Sequence, residues 1–378
     1  MNRKILYWID FFLPHIGGSE IFSASLIPAL QERGYEIEIV TSSEVEGFRE
    51  WDGNSEISIH RFPFWNALKN GNLQQMILLR KQITEFKKKF QPDLVHLHFG
   101  AASYFHLQTL NAYPAPTLTT IHSCPEICSS PQSLLNRTLQ ATQWLTTVSA
   151  QELANIRKFD PSVSARSSLI YYGVELPKLP PRPLNIDTPK LLCLGRLVPN
   201  KGFDIALQAL ALLINRFPKL RMIIGGDGTA KADLMQQSVD MGLGNVVEFR
   251  GWVDNAEVPA LLNEVTIVLI PSRQMEGLPL VAIQAAQMAR PIVATAVNGL
   301  PELIVHQQTG LLIELEDSVS LAEAITYFLE NPVLANQMGQ AARQKVQENF
   351  DLKNCINHYD ALYQELSGVA IKSQLPAP

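Results

Sequence analysis

The sequence predicts an α/β protein made of two doubly wound, Rossmann-like parallel-sheet domains in series. Three observations carry that prediction. Short β-rich apolar runs alternate with helix-period segments along the whole chain, the pattern of parallel strands covered by helices on both faces. A stretch with Pro177, Pro180, Pro181, Pro183 and Pro189 interrupts the alternation, extended and poor in donors as a linker should be. The length, 378 residues, exceeds what one core ordinarily organises. The expected boundaries are a first domain over 1–176, a linker over 177–189 and a second domain over 190–349.

In the first domain the strands are expected at 5–9, 36–41, 57–62, 94–97, 117–121, 145–148 and 168–171, with the clearest helices at 19–33 and 72–90. The opening MNRKILYWIDFFLP has the basic-then-apolar look of a leader. Asp10 interrupts the apolar run and no small-residue cleavage site follows, so it reads as a buried first strand. After the linker, strands are expected at 191–194, 221–224, 246–249, 266–270, 292–294 and 310–313. Helices are expected near 203–216, 229–241, 255–263, 279–289 and 300–305, and over 319–329, where Leu321, Ile325, Phe328 and Leu329 share a face. Residues 332–366 read as helical.

A hydrophobic fraction of 46% and a charged fraction of 18% describe a soluble globular chain, and a net charge of −5 gives no reason to expect nucleic acid. The four cysteines show no disulfide framework, which fits a reducing cytoplasm. No uncharged apolar stretch reaches the roughly 18 residues that span a bilayer.

Three segments of the second domain fall after strands, where open α/β sheets bind ligands. Gly195 to Gly202 follows the first strand and opens a helix, bringing Arg196 and Lys201 to its N-terminus. Two cations there suit a diphosphate, although a solvated basic loop is an equal reading of that segment alone. Gly226-Asp227-Gly228 ends the next strand and lets a ligand approach bare backbone, or simply makes a tight turn. A third loop holds Glu276 and Gly277 before a helix opening at Pro279, whose first N–H groups suit a phosphate or sugar hydroxyls. Two helical turns on stands Gln284.

With these segments in view, the chain resembles the retaining glycosyltransferases of family 4 (glycosyl transferases group 1), of the GT-B fold, with two such domains facing a central cleft. The motifs that carry the resemblance are GGSE (17–20), TTIHS (119–123), VSAQEL (148–153), IYYGVE (170–175), GRLVPNKG (195–202), GGDG (225–228), FRGWV (249–253), EGLPLVAIQA (276–285) and NGLPELI (298–304). The resemblance implies that Arg196 and Lys201 hold the diphosphate and stabilise the leaving group. It implies that Arg250, Trp252 and Val253 meet the base through the backbone, beside Gly226. Glu276 would bind hydroxyls of the donor sugar, with the N–H groups of Gly277, Leu278, Pro279 and Leu280 along sugar and phosphate; Pro279 itself has no N–H to give. Gly17 and Gly18 would close over the phosphate, and His122 would hydrogen-bond the transferred sugar near the reaction centre. The helix over 350–366 would return to the first domain through Phe350, Tyr359, Leu362 and Tyr363.

The chain departs from the family pattern at three places. Gln284 stands where the family has a second acid that accepts both ribose hydroxyls, which implies a weakened ribose grip of about 1–2 kcal/mol. Tyr172 stands where Asn is usual, and Asn298 where a Gly commonly precedes Gly299. His96 and His98 in LVHLHFG are expected to face opposite sides of their strand, with a structural role. His122, Cys124 and Cys128 lack a fourth ligand for structural zinc, and the resemblance implies no metal and no cofactor.

FPFWNALK (62–69) beside a helix with Arg80, Lys81, Lys87, Lys88 and Lys89 suggests an acceptor or membrane-surface patch. The reading favoured from sequence is aromatics packed under the loop and lysines on a solvated face. The function implied is transfer of a hexose from a nucleoside-diphosphate sugar, UDP- or GDP-linked, to a hydroxyl of a glycan or lipid-linked acceptor, in the cytoplasm or peripherally at the inner membrane face. The alternatives are a weakly active or non-catalytic sugar-nucleotide-binding subunit and a nucleotide-sugar epimerase on the same architecture.

Overall fold

In the computed structural model, residues 3–15, 17–43, 57–123, 130, 132–273 and 277–368 are described; Glu276, Cys124 and Cys128 lie outside them. Seven strands form the first sheet: β1 (Arg3–Trp8), β2 (Tyr35–Ser42), β3 (Ser58–Phe62), β4 (Leu94–His98), β5 (Thr117–Ile121), β6 (Trp144–Thr147) and β7 (Ser167–Leu169). Their order is β3-β2-β1-β4-β5-β6-β7, parallel throughout. The order reverses between β1 and β4, so their following loops diverge and leave a crevice at the strand ends. Asp10 joins those two loops by accepting the N–H groups of Ala101 and Ala102 at 2.8 Å each.

The second sheet has β8 (Lys190–Leu194), β9 (Arg221–Gly225), β10 (Val247–Gly251), β11 (Ile267–Ile270), β12 (Ile292–Thr295) and β13 (Leu311–Ile313). Its order is β10-β9-β8-β11-β12-β13, again all parallel. The reversal here lies between β8 and β11. A hydrophobic core packed on this sheet includes Leu191, Cys193, Leu207, Leu210, Ile224, Leu269, Ile325 and Phe328. By contacts the chain divides into unit 1, Met1–Ile170 with Lys353–Pro378, and unit 2, Tyr171–Leu352.

Several local expectations change. The helical run 332–366 is two helices, Pro332–Asn349 and Leu352–Ser367; the second belongs to unit 1, as the resemblance implies. It is tied there by the Arg33–Asp360 ion pair at 3.0 Å and by Tyr35 Oη donating to Asp360 at 2.6 Å. The proline-rich segment is strapped to unit 2. Arg182 N donates to Asn263 at 2.8 Å, Asn263 Nδ2 to Pro180 O at 2.9 Å and Thr266 Oγ1 to Asn185 O at 2.7 Å. Buried Arg290 donates to Arg182 O and, at 3.1 Å, to Val265 O.

His96 and His98 are corrected. Both are buried with ring centroids 4.4 Å apart, because side chains two residues apart on a strand share a face. Lys87 is corrected too: it is turned inward, with Nζ 3.2 Å from His106 Nδ1, 3.3 Å from Thr109 O and over the Trp8 ring. Phe62 and Phe64 pack into the core of unit 1, Phe64 stacking on Trp8 and Phe105.

Two glycines hold the loops of unit 2 together. Gly202 (φ +65) has the Pro271 carbonyl where a Cβ would stand, and Gly226 (φ +129) has that of Gly195. Neither position admits a side chain without moving backbone. Gly202→Ala and Gly226→Ala are each expected to destabilise the protein by about 2 kcal/mol or more. Gly244→Ala, in open space without a positive φ, should stay within roughly 0.5 kcal/mol. Urea midpoints of the three variants test this, and equal midpoints would contradict the close approach.

Burial holds four histidines of unit 1 neutral: His96 is pushed down to about 3, His122 to about 4, and His98 and His106 well below the usual range. Burial pushes Asp10 the other way, up to about 6. The unfolded histidines take up protons below about pH 6.5 while the folded ones do not, so stability falls as pH falls. Asp10 takes up its proton in the folded state first and offsets one of the four. Each unmatched proton is worth about 1.4 kcal/mol per pH unit. The urea midpoint should drop steeply between pH 6.5 and 5; a flat midpoint would contradict the neutral buried histidines.

Candidate active site

Unit 2 brings most of the predicted donor-binding residues to one edge of its sheet. Gly195 N donates to Gly225 O at 3.1 Å, Leu197 N to Asp227 O at 2.8 Å, Ala230 N to Leu197 O at 2.8 Å and Gly226 N to Gly251 O at 2.6 Å. The loops after β8, β9 and β10 are thus bonded backbone to backbone. Arg196 is exposed on the first of them. Lys201 ends the turn Pro199–Lys201 that leads into the helix Phe203–Leu213, its Cε 3.9 Å from the Cβ direction of Gly195.

Arg250, Trp252 and Val253 stand beside Gly226 through the Gly226–Gly251 bond. The Arg250 side chain is held by Glu248 at 2.7 Å and Glu264 at 3.0 Å, and these carboxylates, Glu248 first, push its guanidinium pKa up. Its side chain is therefore occupied, and what the segment offers a ligand is backbone. The Trp252 indole donates to Asp254 at 2.8 Å.

The helix Leu280–Gln287 starts after Pro279, with Leu278 and Leu280 buried. Gln284 Nε2 donates to Asn255 Oδ1 at 2.7 Å. That bond uses one of the two amide N–H donors and leaves the carbonyl as the acceptor Gln284 can present. Asn298 holds φ +43, where Asn is the best-tolerated residue after Gly, which accounts for the exchange at that position. Tyr172 is buried in unit 2. Glu302 accepts from Tyr171 Oη at 2.9 Å.

Sequence reasoning missed Arg273. Its guanidinium donates to Asp204 at 2.8 and 2.6 Å, to Pro199 O at 2.6 Å and to Glu316, and its own N–H donates to Asn200 O at 2.9 Å. Asp204 and Glu316 push its pKa up. It joins the Arg196–Lys201 loop to the chain entering the Glu276 segment. A lone Arg after a strand carries no sequence signal for such a hub.

Unit 1 holds the remaining residues. Gly17 precedes the helix Gly18–Gln31, and a Cβ on it would lie 2.5 Å from Glu20 Oε2. Glu20 is buried, paired with His15 at 3.3 Å and accepting from Ser19 at 2.9 Å. Burial works to raise its pKa, but His15 and Ser19 outweigh it and the net shift is downward. His122, just past β5, meets His98 Nδ1 through its Nε2 at 2.6 Å. Glu20 and His98 were both in view in the sequence, within GGSE and LVHLH, but nothing in the motifs marks a buried partner.

Two family models match in succession: Glycosyltransferase Family 4 over residues 16–178 and Glycosyl transferases group 1 over 179–345. A glycogen synthase of Mycobacterium tuberculosis is 28% identical over 312 residues, covering 77% of this chain and 74% of the relative. A D-inositol 3-phosphate glycosyltransferase of Nocardioides is 26% identical over 376 residues, covering 87% and 81%. In fold, the chain is similar to a sucrose-phosphate synthase of Thermosynechococcus elongatus (TM-score 0.82, 22% identity, 97% and 99% covered). It is also similar to Anabaena HepE in complex with UDP-glucose (TM-score 0.77, 19% identity, 96% and 100% covered). With both models matched in series and this architecture in both sheets, the chain belongs to the family 4, group 1 glycosyltransferases of the GT-B fold.

Proposed function

We propose that the protein transfers a hexose from a UDP- or GDP-linked sugar to a hydroxyl of a glycan or lipid-linked acceptor, with retention at the anomeric carbon and without a metal or cofactor. The observation that carries this is the loop with Arg196 and Lys201, bonded backbone to backbone beside Gly226 and Gly251. Two cations there can neutralise the leaving diphosphate, the electrostatic task that a divalent ion performs in other enzymes. The family motifs supply no covalent nucleophile. The reaction we favour is same-face attack: the glycosidic C–O bond to phosphate breaks as the acceptor oxygen bonds the anomeric carbon, and the acceptor proton passes to the departing phosphate. Glu276 and the N–H groups of Gly277, Leu278 and Leu280 would hold the sugar, and His122 would hydrogen-bond it.

The test is nucleotide release from a panel of UDP-, GDP- and ADP-sugars. Release abolished by Lys201→Ala and Glu276→Gln is expected; binding without turnover, even with acceptors, would favour a binding subunit, and an epimerised donor would indicate an epimerase. Gln284→Glu restores a second acceptor oxygen and should tighten donor binding by about tenfold; unchanged or weaker affinity would contradict the ribose role of Gln284.

We propose further that the acceptor lies at an anionic membrane surface, on the cytoplasmic side. The helix Leu73–Phe90 leaves Leu73, Ile77 and Leu78 at 69%, 60% and 54% exposure, beside Arg80, Lys81, Lys88 and Lys89 in a chain whose net charge is −5. Local positive charge against the overall sign, with apolar side chains to insert, suits anionic lipid. No helix among the described residues is long and apolar enough to cross a membrane. Flotation with vesicles containing anionic phospholipid should recover the protein at low salt and lose it on Leu73→Glu with Ile77→Glu; absence of binding by the unaltered protein would overturn the proposal.

A further inference from the structure

Unit 1 carries a polar groove that no step of the proposed reaction uses. It lies between the helix Leu73–Phe90 and the segment joining the helix Ser103–Gln108 to the short turn Leu110–Ala112. Its volume is about 360 Å³, the size of a small-molecule site and far more than an ion needs. Arg80, Thr84 and Lys88 line it from the long helix. Steps of four residues on a helix turn by about 40°, so the three share one stripe about 12 Å long. Gln108, Thr109 and Asn111 line it from the facing segment. The helix Leu73–Phe90 leads to the start of β4 at Leu94, and the turn leads to the start of β5 at Thr117. Lys88 and Asn111 therefore sit toward the edge where strands begin, whereas open α/β sheets bind substrates at the edge where strands finish.

The groups around this groove are uncommitted. The side chains of Arg80, Thr84, Lys88, Gln108 and Asn111 make no hydrogen bond or ion pair with another described residue. No acidic side chain among the described residues lines the groove, although the whole chain has a net charge of −5. The floor, by contrast, is fixed. Thr109 Oγ1 donates to Phe105 O at 2.9 Å, and Thr109 O accepts from the buried Lys87 Nζ at 3.3 Å. A guanidinium fork with an ammonium close by suits a phosphate, whose several oxygens accept from both. The amides of Gln108 and Asn111 and the Thr84 hydroxyl both donate and accept, as ligand hydroxyls require.

We propose that this groove binds a phosphate ester of a polyol at a site separate from the donor loops. Arg80 and Lys88 hold the phosphate, and Thr84, Gln108 and Asn111 hold the hydroxyls. Two sources share that chemistry: a free sugar phosphate and the headgroup of a polyol phospholipid. Leu73 and Ile77, at 69% and 60% exposure, fall seven residues before Arg80 and Thr84 and so continue the same stripe, where the chain of a lipid would lie. The site rests on the geometry of unit 1 and not on the sugar transfer proposed above.

Calorimetric titration of the full-length protein at low salt tests this, with glucose 6-phosphate, inorganic phosphate and phosphatidylglycerol vesicles as probes. Binding at the groove should survive Arg196→Ala with Lys201→Ala, which removes the cations of the donor loop. It should weaken about tenfold or more in Arg80→Gln with Lys88→Gln. Gln108→Leu with Asn111→Leu keeps the charge; it should weaken the polyol phosphate severalfold and leave inorganic phosphate unchanged. All four groove positions are at least partly exposed, so these variants should fold. Glucose 6-phosphate binding with this dependence assigns the site to a soluble ester. Vesicle binding with the same dependence, without binding of the free ester, assigns it to a lipid headgroup. Absence of binding by both probes, or binding lost only with Arg196 and Lys201, would overturn the proposal. Indifference to Gln108→Leu with Asn111→Leu would also overturn it, reducing the groove to a basic patch.

Discussion

The architecture of unit 2 depends on backbone meeting backbone at the ends of its strands. Gly226 lies against the carbonyl of Gly195, and Gly202 against that of Pro271, so the loops after β8, β9 and β11 are pressed together with no side chain between them. That closeness bonds three βα turns to one another through their backbone, with Arg196 and Lys201 on the first of them. Arg273 then ties the β8 loop to the chain leaving β11 through Pro199, Asn200 and Asp204. A charged ligand bound there would meet groups already fixed before it arrives, which is what electrostatic stabilisation of a leaving group requires.

Unit 1 is built on a different compromise. Where unit 2 fills its sheet with aliphatics, β4, β5 and β6 bury His96, His98, Thr119, Thr120, Thr146 and Thr147. Their hydrogen bonds run through Thr120 to Thr146 at 2.7 Å and through His96 to Tyr363 on the C-terminal helix Leu352–Ser367. A buried polar network fixes one arrangement because leaving any member unpaired is costly. Here it ties β4, β5 and β6 to the helix that closes unit 1, while His98, in ring contact with His96, bonds His122 separately.

Much of this was legible in the sequence. Strand periodicity located both sheets, and the order of motifs identified the family. What escaped has specific causes. The faces of His96 and His98 follow from a period of two, and reading them as opposed hid the His98–His122 bond. The inward turn of Lys87 depends on Trp8, His106 and Thr109, none adjacent in sequence. Arg273 draws its role from Asp204 and Glu316, 69 and 43 residues away. Gln284 stands where the family has a second acid, and its bond to Asn255, 29 residues away, carries no sequence signal.

The central claim is that the cinched loops of unit 2 form one preorganised diphosphate site. Hydrogen–deuterium exchange of the full-length protein with and without UDP or GDP tests it most directly. With the nucleotide that binds, the amides of 195–202 and 226–230 should gain protection together, with the segment that follows Pro271. No protection with either nucleotide, or protection in one loop without the other, would contradict the account.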